Sequence, residues 1–413
     1  MSRSARVFCA LVAIAVAAGG VGVAAARPVR IGRLTTLPWG FREAHPCATL
    51  ACDAGRGGRV RGRFPAVTPV RTWRHVTSEP VADLGHAHPL VLAGELVVVA
   101  GVGGIEGFTR GGTRAFHAAY GVAAMAHVPA LTPGDDLVVA TTRGDVLLVT
   151  REGVVRARAR VPGGVRGAPL ALADGTIVVG TSDALVGLDA ELGPLFEVPL
   201  RGGASGAPVL TREGRVAVGA GADVVVTDAE GRGASRSELA ARIDDHVAVA
   251  PDGTLWARVA TGELVAIDPS GHARTRGAAG RADAFAPVVA ADGSLRVFVR
   301  TSAGRTALAA LAPTGRVLWE RALDGVPRGV TVDAEGTSIA AMQAPLPTGP
   351  GTTNVAPIGE LVAIDPHGEV LWRVVTEGVP FDAPVRGDAG ALYVLVARER
   401  TALECYAAPE PPR

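Results

Sequence analysis

The sequence contains no lysine, so its 41 basic residues are all arginine, and 40 acidic residues nearly balance them. These charges are spread along the chain and form no block of one sign. A polybasic surface for nucleic acid or for a membrane therefore has little support. Genome composition explains the missing lysine more simply than selection for arginine chemistry does.

Aromatic residues make up only 4% of the 413 residues, and long stretches with helical periodicity are hard to find. Glycine is abundant, with 54 copies, and valine and alanine dominate the apolar residues. This composition favours many short strands joined by turns. The length allows two ordinary domains or one large ring with a full core.

Common catalytic motifs are also missing, because the chain has no G-x-S-x-G, H-E-x-x-H, P-loop or EF-hand pattern. The segment "GVGGIEG", Gly101 to Gly107, fails the G-x-G-x-x-G spacing and precedes no helical pattern. It aligns better with a hairpin between two strands.

The N-terminus has the pattern of an export signal over residues 1–26. Two arginines precede an apolar run, Val7 to Ala26, which ends in an A-x-A site at Ala24 to Ala26. An uncleaved anchor is the alternative, because twenty apolar residues could just span a bilayer. The expected location is therefore periplasmic or secreted. Cys9 stands at the start of the run, so the sequence shows no lipobox.

Residues 27–67 are rich in Arg, Gly, Pro and Thr without a period of 2 or 3.6, which predicts an extended leader or linker, in part wrapped on the main domain. Cys47 and Cys52 lie five positions apart in this segment, and an oxidising compartment would favour a disulfide between them. Half of a zinc site is the weaker alternative. Cys405 is expected to be a buried free thiol on a short strand.

A longer repeat begins near residue 86. Each unit opens on a short apolar stretch, often Ala-Pro, followed by an acidic-Gly turn and three more strands. The first turns centre near Gly94, Asp135, Gly175, Gly214, Gly253, Gly293, Gly336 and Gly390. A period near forty with four strands per unit is typical of β-propeller blades. We predict an all-β fold, an eight-bladed β-propeller of four-stranded antiparallel blades over residues 68–408, with a tail at 409–413.

The phrase "GELVAIDP" occurs twice, from Gly262 and from Gly359, and predicts a third strand and the turn after it. In this turn the Asp side chain accepts from backbone donors and Gly takes the left-handed conformation. The Trp of "VLW" is expected to seal the gap between blades near the rim. Gln343 to Gly359 contains an insertion between second and third strands.

The last unit ends after three strands, at about Ala407. The segment "VRTWRHV", Val70 to Val76, resembles the fourth strands of other units. We predict that it completes the last blade and closes the ring, which removes an open sheet edge.

The L-x-A-x-D-x-x-G-x-x-L-W phrase, complete only in Gly359 to Trp372, resembles the pyrroloquinoline-quinone-type propeller repeat. This repeat occurs in quinoprotein alcohol dehydrogenases and in a non-enzymatic propeller of the outer-membrane protein assembly machinery. The resemblance covers residues 70 to 408 and implies a fold more than a function. A resemblance to the dehydrogenases would also imply a disulfide between two adjacent cysteines that covers the quinone, and a calcium ion held by Glu, Asn and Asp. This chain has no adjacent cysteines, and no residues match the calcium set.

Two further groups of polar residues have possible metal or acid-base chemistry. His86 and His88 would share one face of a strand, and Asp244, Asp245 and His246 gather at the start of the fifth unit. His86 and His88 are explained more simply as the polar start of a strand near the channel. The group from Asp244 to His246 is explained more simply as a solvated strand end. We therefore expect no metal and no cofactor.

The positions just before each Ala-Pro, or its equivalent, are predicted to line one mouth of the channel. They are His88, Gly167, Gly206, Asp245, Phe285, Arg328 and Asp382. A mixed-charge mouth of this kind could bind a small ligand or a peptide loop. The function that we expect is an exported, monomeric, non-enzymatic scaffold that binds a protein or envelope component through blade loops. The alternative is a quinoprotein-like propeller that uses its central channel for a cofactor or small ligand.

Overall fold

The computed structural model of the chain describes residues 45–81, 87–121, 124–278, 285–345 and 358–409. These residues form eight antiparallel sheets, which are the blades of a propeller. Its strands are numbered β1 to β33 in chain order. The eight-bladed fold predicted from the forty-residue repeat is confirmed. No helix in the described ranges is long and apolar enough to cross a membrane.

Blades 1 to 4 each contain four consecutive strands, which follow one another from the innermost to the outermost. Blade 1 contains β2 (Leu90–Leu92), β3 (Leu96–Ala100), β4 (Gly104–Phe108) and β5 (Arg114–Ala119). Blade 2 contains β6 (Ala130–Leu131), β7 (Leu137–Ala140), β8 (Asp145–Val149) and β9 (Val155–Arg160). Blade 3 contains β10 (Leu170–Ala171), β11 (Ile177–Gly180), β12 (Ala184–Leu188) and β13 (Pro194–Pro199). Blade 4 contains β14 (Val209–Leu210), β15 (Val216–Ala220), β16 (Asp223–Thr227) and β17 (Ser235–Glu238).

Blades 5 to 7 repeat this order, and blade 8 departs from it. Blade 5 contains β18 (Ala248–Val249), β19 (Leu255–Arg258), β20 (Glu263–Ile267) and β21 (Ala273–Ala278). Blade 6 contains β22 (Val288–Val289), β23 (Leu295–Arg300), β24 (Thr306–Leu311) and β25 (Val317–Ala322). Blade 7 contains β26 (Val326–Val332), β27 (Ser338–Gln343), β28 (Gly359–Ile364) and β29 (Val370–Thr376). Blade 8 contains two short inner strands, β30 (Val379–Pro380) and β31 (Val385–Arg386), then β32 (Leu392–Ala397), β33 (Thr401–Ala407) and β1 (Val70–Val76).

Burial explains the apolar runs of the sequence. The middle strands β7 and β8 are buried along their whole length, because a neighbouring blade covers each of their faces. The outer strand β9 alternates between half-buried alanine and exposed residues. The apolar core therefore consists of a cluster between successive blades, as between blades 2 and 3, where Val138, Leu148, Ile177 and Leu192 pack together.

The ring closes as the sequence predicts, with β1 antiparallel to β33 and Trp73 opposite Cys405. A buried carboxylate supports this closure. Glu404 lies 3.5 Å from Arg71 Nη1 and 3.4 Å from Arg74 Nε, and it accepts the Tyr406 hydroxyl at 2.6 Å. Cys405 is buried and free, as predicted, and its burial raises the pKa of the thiol.

The repeated phrase forms a third strand and a hairpin in blades 5 and 7. Asp365 Oδ1 accepts the backbone N–H groups of His367 and Glu369, and Gly368 has φ +90°. Asp268 and Gly271 repeat this turn in blade 5, where hydrogen bonds from Ser270 and His272 lower the pKa of the Asp268 carboxyl. The predicted turn chemistry is confirmed. "GVGGIEG" spans the hairpin between β3 and β4, also as predicted.

The tryptophans of the fourth strands bridge neighbouring blades. The Trp319 indole donates to the Pro366 carbonyl of blade 7 at 2.8 Å, and the Trp73 indole donates to the Arg110 carbonyl of blade 1 at 2.8 Å. The predicted sealing role is confirmed. Phe116 and Phe196 pack in the same way on the glycine of the next hairpin, Gly153 and Gly231.

Blade 2 has Ala157 at this aromatic position, and the next hairpin has Leu192 in place of glycine, at φ +68°. Leu192 is buried and fills the volume that a ring takes elsewhere. At these interfaces the aromatic and the hairpin glycine are therefore coupled, because the space between the two blades holds one large side chain, which either the fourth strand or the next hairpin contributes.

This coupling predicts that Gly231→Leu lowers the free energy of unfolding by about 2 kcal/mol or more, because a Cβ on Gly231 would lie 2.5 Å from the Phe196 ring. Adding Phe196→Ala should make the double variant more stable than Gly231→Leu alone, with a coupling energy of at least about 1 kcal/mol in urea unfolding. Gly304→Leu is the control, since Gly304 has φ +74° but no atom within 4 Å of an added Cβ. Additive losses at Gly231 and Phe196 would contradict the coupling.

Candidate functional site

The centre of the ring is filled by the chain's own residues 45–64, which we call the hub segment. Most residues of the hub segment from His45 to Val60 are buried, including Cys47, Ala48, Leu50, Ala54 and Val60. The composition of residues 27–67 predicts an extended leader or linker, in part wrapped on the main domain. Within this range the hub segment lies in the propeller interior. Residues 27–44 lie outside the described ranges, as do the predicted signal at 1–26 and most of the tail.

The hub segment contacts the inner strands in the order of the blades. Its carbonyls accept N–H groups from the inner strands as follows: Cys47 from Val91, Ala48 from Leu131, Ala54 from Leu210, Gly55 from Val249, Gly57 from Val289 and Gly58 from Val332. These six distances lie between 2.8 and 3.1 Å. The inner strands would otherwise present unpaired edges to the channel, so the hub segment satisfies them.

Blades 3 and 8 are joined to the hub segment by arginine side chains. The buried Arg56 donates to the Pro169 carbonyl at the start of blade 3 at 2.9 Å, to the Leu50 carbonyl at 3.0 Å and to the Thr49 hydroxyl. Burial lowers the pKa of the Arg56 guanidinium to about 9, against the opposing attraction of Asp53. In blade 8, Arg386 donates to the carbonyls of Arg61 and Arg63.

A disulfide joins Cys47 and Cys52, whose Cα atoms lie 4.2 Å apart. It closes a tight loop around the 3₁₀ turn Leu50–Cys52. Small residues and glycine suit the hub segment, because a Cβ on Gly58 would lie 2.6 Å from Val288 Cγ2 and Gly58 has φ +69°. The close packing of the hub segment against the inner strands therefore explains why it is rich in glycine and small residues, a composition that otherwise indicates a linker.

The channel-mouth positions predicted from the sequence lie largely together, on one side of the hub segment. A small cavity of about 60 Å³ is lined by His88, Phe285 and Asp382 together with Leu50 and Arg56 of the hub segment. A large cavity of about 730 Å³ is lined by Gly167, Gly206, Asp245 and Phe285. We call the openings of these two cavities the connector mouth, because the connectors between blades form it. Arg328 is not among the lining residues of either cavity, and it donates to Gln343 Oε1 at 2.5 Å from a bulge in β26.

Several of the predicted mouth residues hold the scaffold together. His88 Nε2 accepts the Ala51 N–H at 2.9 Å, which anchors the hub segment to blade 1. Asp245 Oδ2 accepts the Ala286 N–H at 2.9 Å, which joins blades 5 and 6, and Asp245 Oδ1 lies 3.0 Å from His246 Nδ1. Phe285 packs edge-on against Phe298. These contacts favour structural roles for His88 and Asp245.

The metal interpretation of the His and Asp groups gains no support from the geometry. Within the described ranges, no three His, Cys, Asp or Glu residues lie close enough together to hold a metal ion. His86 lies outside these ranges. Burial raises the pKa of Asp244, which lines the large cavity, while Arg258 and Arg242 act against that rise.

Sequence reasoning did not identify the other polar residues of the large cavity, which are His127, Thr142, Arg166 and Ser205. Leu50, Met125 and Val128 provide apolar surface beside them. A mostly apolar cavity with a few convergent polar groups is the usual form of a binding site. The signal that could have indicated it is the paired connector pattern G-G-x-x-G-A-P, in "GGVRGAP" and "GGASGAP".

Comparisons with known proteins agree with this architecture. The family described as outer membrane protein assembly factor BamB matches residues 117–334 and 220–378. No curated protein sequence matches the chain.

Among solved structures, the chain is similar to the quinohemoprotein alcohol dehydrogenase of Comamonas testosteroni, with 13% identity, a TM-score of 0.69 and coverage of 95% of this chain and 86% of that one. It is similar to BamB of Moraxella catarrhalis, with 14% identity, a TM-score of 0.58 and coverage of 84% and 100%. A europium-containing methanol dehydrogenase gives 11% identity, a TM-score of 0.67 and coverage of 89% and 99%. At these identities the structural similarity establishes the fold alone.

Proposed function

This chain belongs to the family of outer membrane protein assembly factor BamB, and from this premise we propose that it is a non-enzymatic scaffold of the cell envelope. In this proposal the propeller binds a protein or envelope component at the connector mouth. The observation that carries the proposal is the hub segment, because it uses the centre of the ring for structure and leaves the mouth cavities open to a partner.

The hub segment also argues against the dehydrogenase-like alternative. A flat quinone bound over adjacent cysteines needs a hollow at the centre of the ring, and there the hub carbonyls bond to the inner strands of six blades. Cys47 and Cys52 are not adjacent in sequence, and their disulfide lies inside the hub segment. The residues present therefore do not fit the quinone, and we derive no reaction step through it.

Residues 1–26 fit this proposal as an export signal that delivers the chain to the periplasm or the exterior. N-terminal sequencing of protein isolated from envelope fractions tests this part. A mature N-terminus near Arg27 would support cleavage, and an intact Met1 would support an uncleaved anchor.

The binding role is tested by placing a photoreactive amino acid at Ser205, in the large cavity, and irradiating cells that express the variant. We expect one reproducible cross-linked protein, identified by mass spectrometry. Ser302, exposed on a hairpin of blade 6, is the matched control position and should give no such product.

A second variant distinguishes docking from mere proximity. Thr142→Arg should fill part of the large cavity and reduce recovery of the cross-linked protein by at least about tenfold, with an unchanged urea midpoint. Equal cross-linking at Ser205 and Ser302, or bound quinone with dehydrogenase activity in the purified protein, would overturn the scaffold proposal.

A further inference from the structure

We propose that a separate cavity beside the connector mouth is a binding site for a small organic oxyanion, such as a carboxylate or a phosphate. This cavity, which we call the arginine cavity, measures about 390 Å³ and lies between the connectors that lead into blades 3, 4 and 5. Its charged lining residues are Arg166 and Arg242, and no carboxylate lines it. The inference does not depend on the scaffold role.

The two arginines lack partners of their own. Within the described part of the chain, neither guanidinium makes a hydrogen bond or an ion pair with another residue, and both side chains are exposed. Some arginines elsewhere in this chain pair with carboxylates, as Arg156 pairs with Asp136 at 2.8 Å and Arg373 with Glu360 at 2.7 Å. Others in the described ranges are exposed and unpaired, such as Arg305, but Arg166 and Arg242 share one cavity. Two unpaired cations that line one cavity favour an anionic ligand in it, because a guanidinium donates two parallel N–H groups to a carboxylate or phosphate.

The rest of the lining consists mostly of small residues, which leave the volume of the cavity open to a ligand. Gly202, Gly203 and Gly221 have positive φ and contribute no side chains, and a Cβ on Gly202 would lie 3.3 Å from Gly221 Cα. Ser205 adds a hydroxyl to the wall. A volume of about 390 Å³ exceeds that of a bare ion and accommodates a small organic molecule.

Two nearby carboxylates lower the affinity of the arginine cavity for an anion. Asp183, which is exposed, accepts the hydroxyl of the lining residue Ser182 at 2.9 Å. Asp244 lines the neighbouring large cavity and attracts Arg242 without forming an ion pair. Arg166 lines both cavities, so it could contact the anionic part of a molecule that extends into either one.

Isothermal titration calorimetry with citrate, and separately with inorganic phosphate, tests the site in the full chain at low ionic strength. We expect saturable binding of at least one of the two, and the preferred probe identifies the chemistry of the natural ligand. Arg166→Gln and Arg242→Gln should each weaken binding by about tenfold or more, since each removes a charge-assisted pair. Arg305→Gln, an exposed arginine on a hairpin of blade 6, should leave binding unchanged.

A variant that is expected to bind more tightly shows whether the losses in the other variants come from misfolding. Asp183→Asn removes a competing negative charge and should tighten binding by several-fold, a result that a damaged protein cannot give. The proposal is overturned if Arg166→Gln and Arg242→Gln bind both probes like the unmodified protein, or if Arg305→Gln weakens binding as much as they do. Absence of heat from both probes with the unmodified chain would also overturn it. None of these outcomes depends on cross-linking at Ser205.

Discussion

A chain that begins at residue 68 should fail to form a stable propeller, whereas a chain that begins at residue 45 should unfold cooperatively like the full sequence. The shorter chain lacks the hub segment, so six N–H groups of the inner strands lose their hydrogen-bond acceptors and the carbonyls of Val91 and Val332 lose their donors. At about 1 kcal/mol each, these bonds alone approach the total stability of an ordinary domain, before the lost burial of Leu50 and Phe64 is added.

Circular dichroism and urea unfolding of the two truncated chains provide the measurement. The chain from residue 45 is the matched control, because it retains the hub segment and its disulfide. Adding a synthetic peptide of residues 45–67 to the shorter chain should restore part of its near-ultraviolet signal. Native-like unfolding of the chain from residue 68 without that peptide would show that the hub segment is dispensable.

Replacing Trp372 by alanine should lower the free energy of unfolding by about 3 to 5 kcal/mol, the usual range for a large buried aromatic. Trp372 is 4% exposed and packs against Phe64, Leu392 and Tyr406, so it joins blade 7, blade 8 and the end of the hub segment. Its indole also donates to the Pro65 carbonyl at 2.7 Å, which would lose its partner.

Two further variants separate the parts of this effect in urea unfolding. Trp372→Phe keeps most of the apolar contact but loses the hydrogen bond, so a smaller loss of about 1 to 2 kcal/mol is expected. Leu371→Ala changes the neighbouring residue of the same strand, which is 45% exposed, and should cost about 0.5 kcal/mol or less. A loss from Leu371→Ala equal to that from Trp372→Ala would contradict the proposed bridging role.

The blade architecture was predictable because its causes are local and occur eight times. Each hairpin needs a residue that tolerates positive φ, and glycine provides it at Gly175, Gly253 and Gly368. Each middle strand is covered on both faces and therefore reads as an apolar run. Ring closure by Val70 to Val76 could also be inferred, because the last unit was one strand short.

The candidate site was only partly predictable. The alignment of the Ala-Pro positions placed His88, Asp245, Phe285 and Asp382 on one mouth, where the structure brings them together. It did not show that His88 and Asp245 are committed to backbone N–H groups of other segments. It missed Arg166 and Arg242, since an exposed arginine on a connector has no periodic signal and shares a cavity only after three blades have packed.

By itself, the sequence determined the number of blades and their strands and turns, because these depend on residues a few positions apart. It also determined the closure of the ring, because the last unit is one strand short and Val70 to Val76 resembles the missing strand. Only the tertiary structure decided the position of the hub segment and the shape of the cavities. The backbone partners of the hub segment are spread from Val91 to Ala334, on different blades. A segment that contacts different blades in turn through its backbone needs no repeating pattern of its own, so its sequence resembles that of a linker.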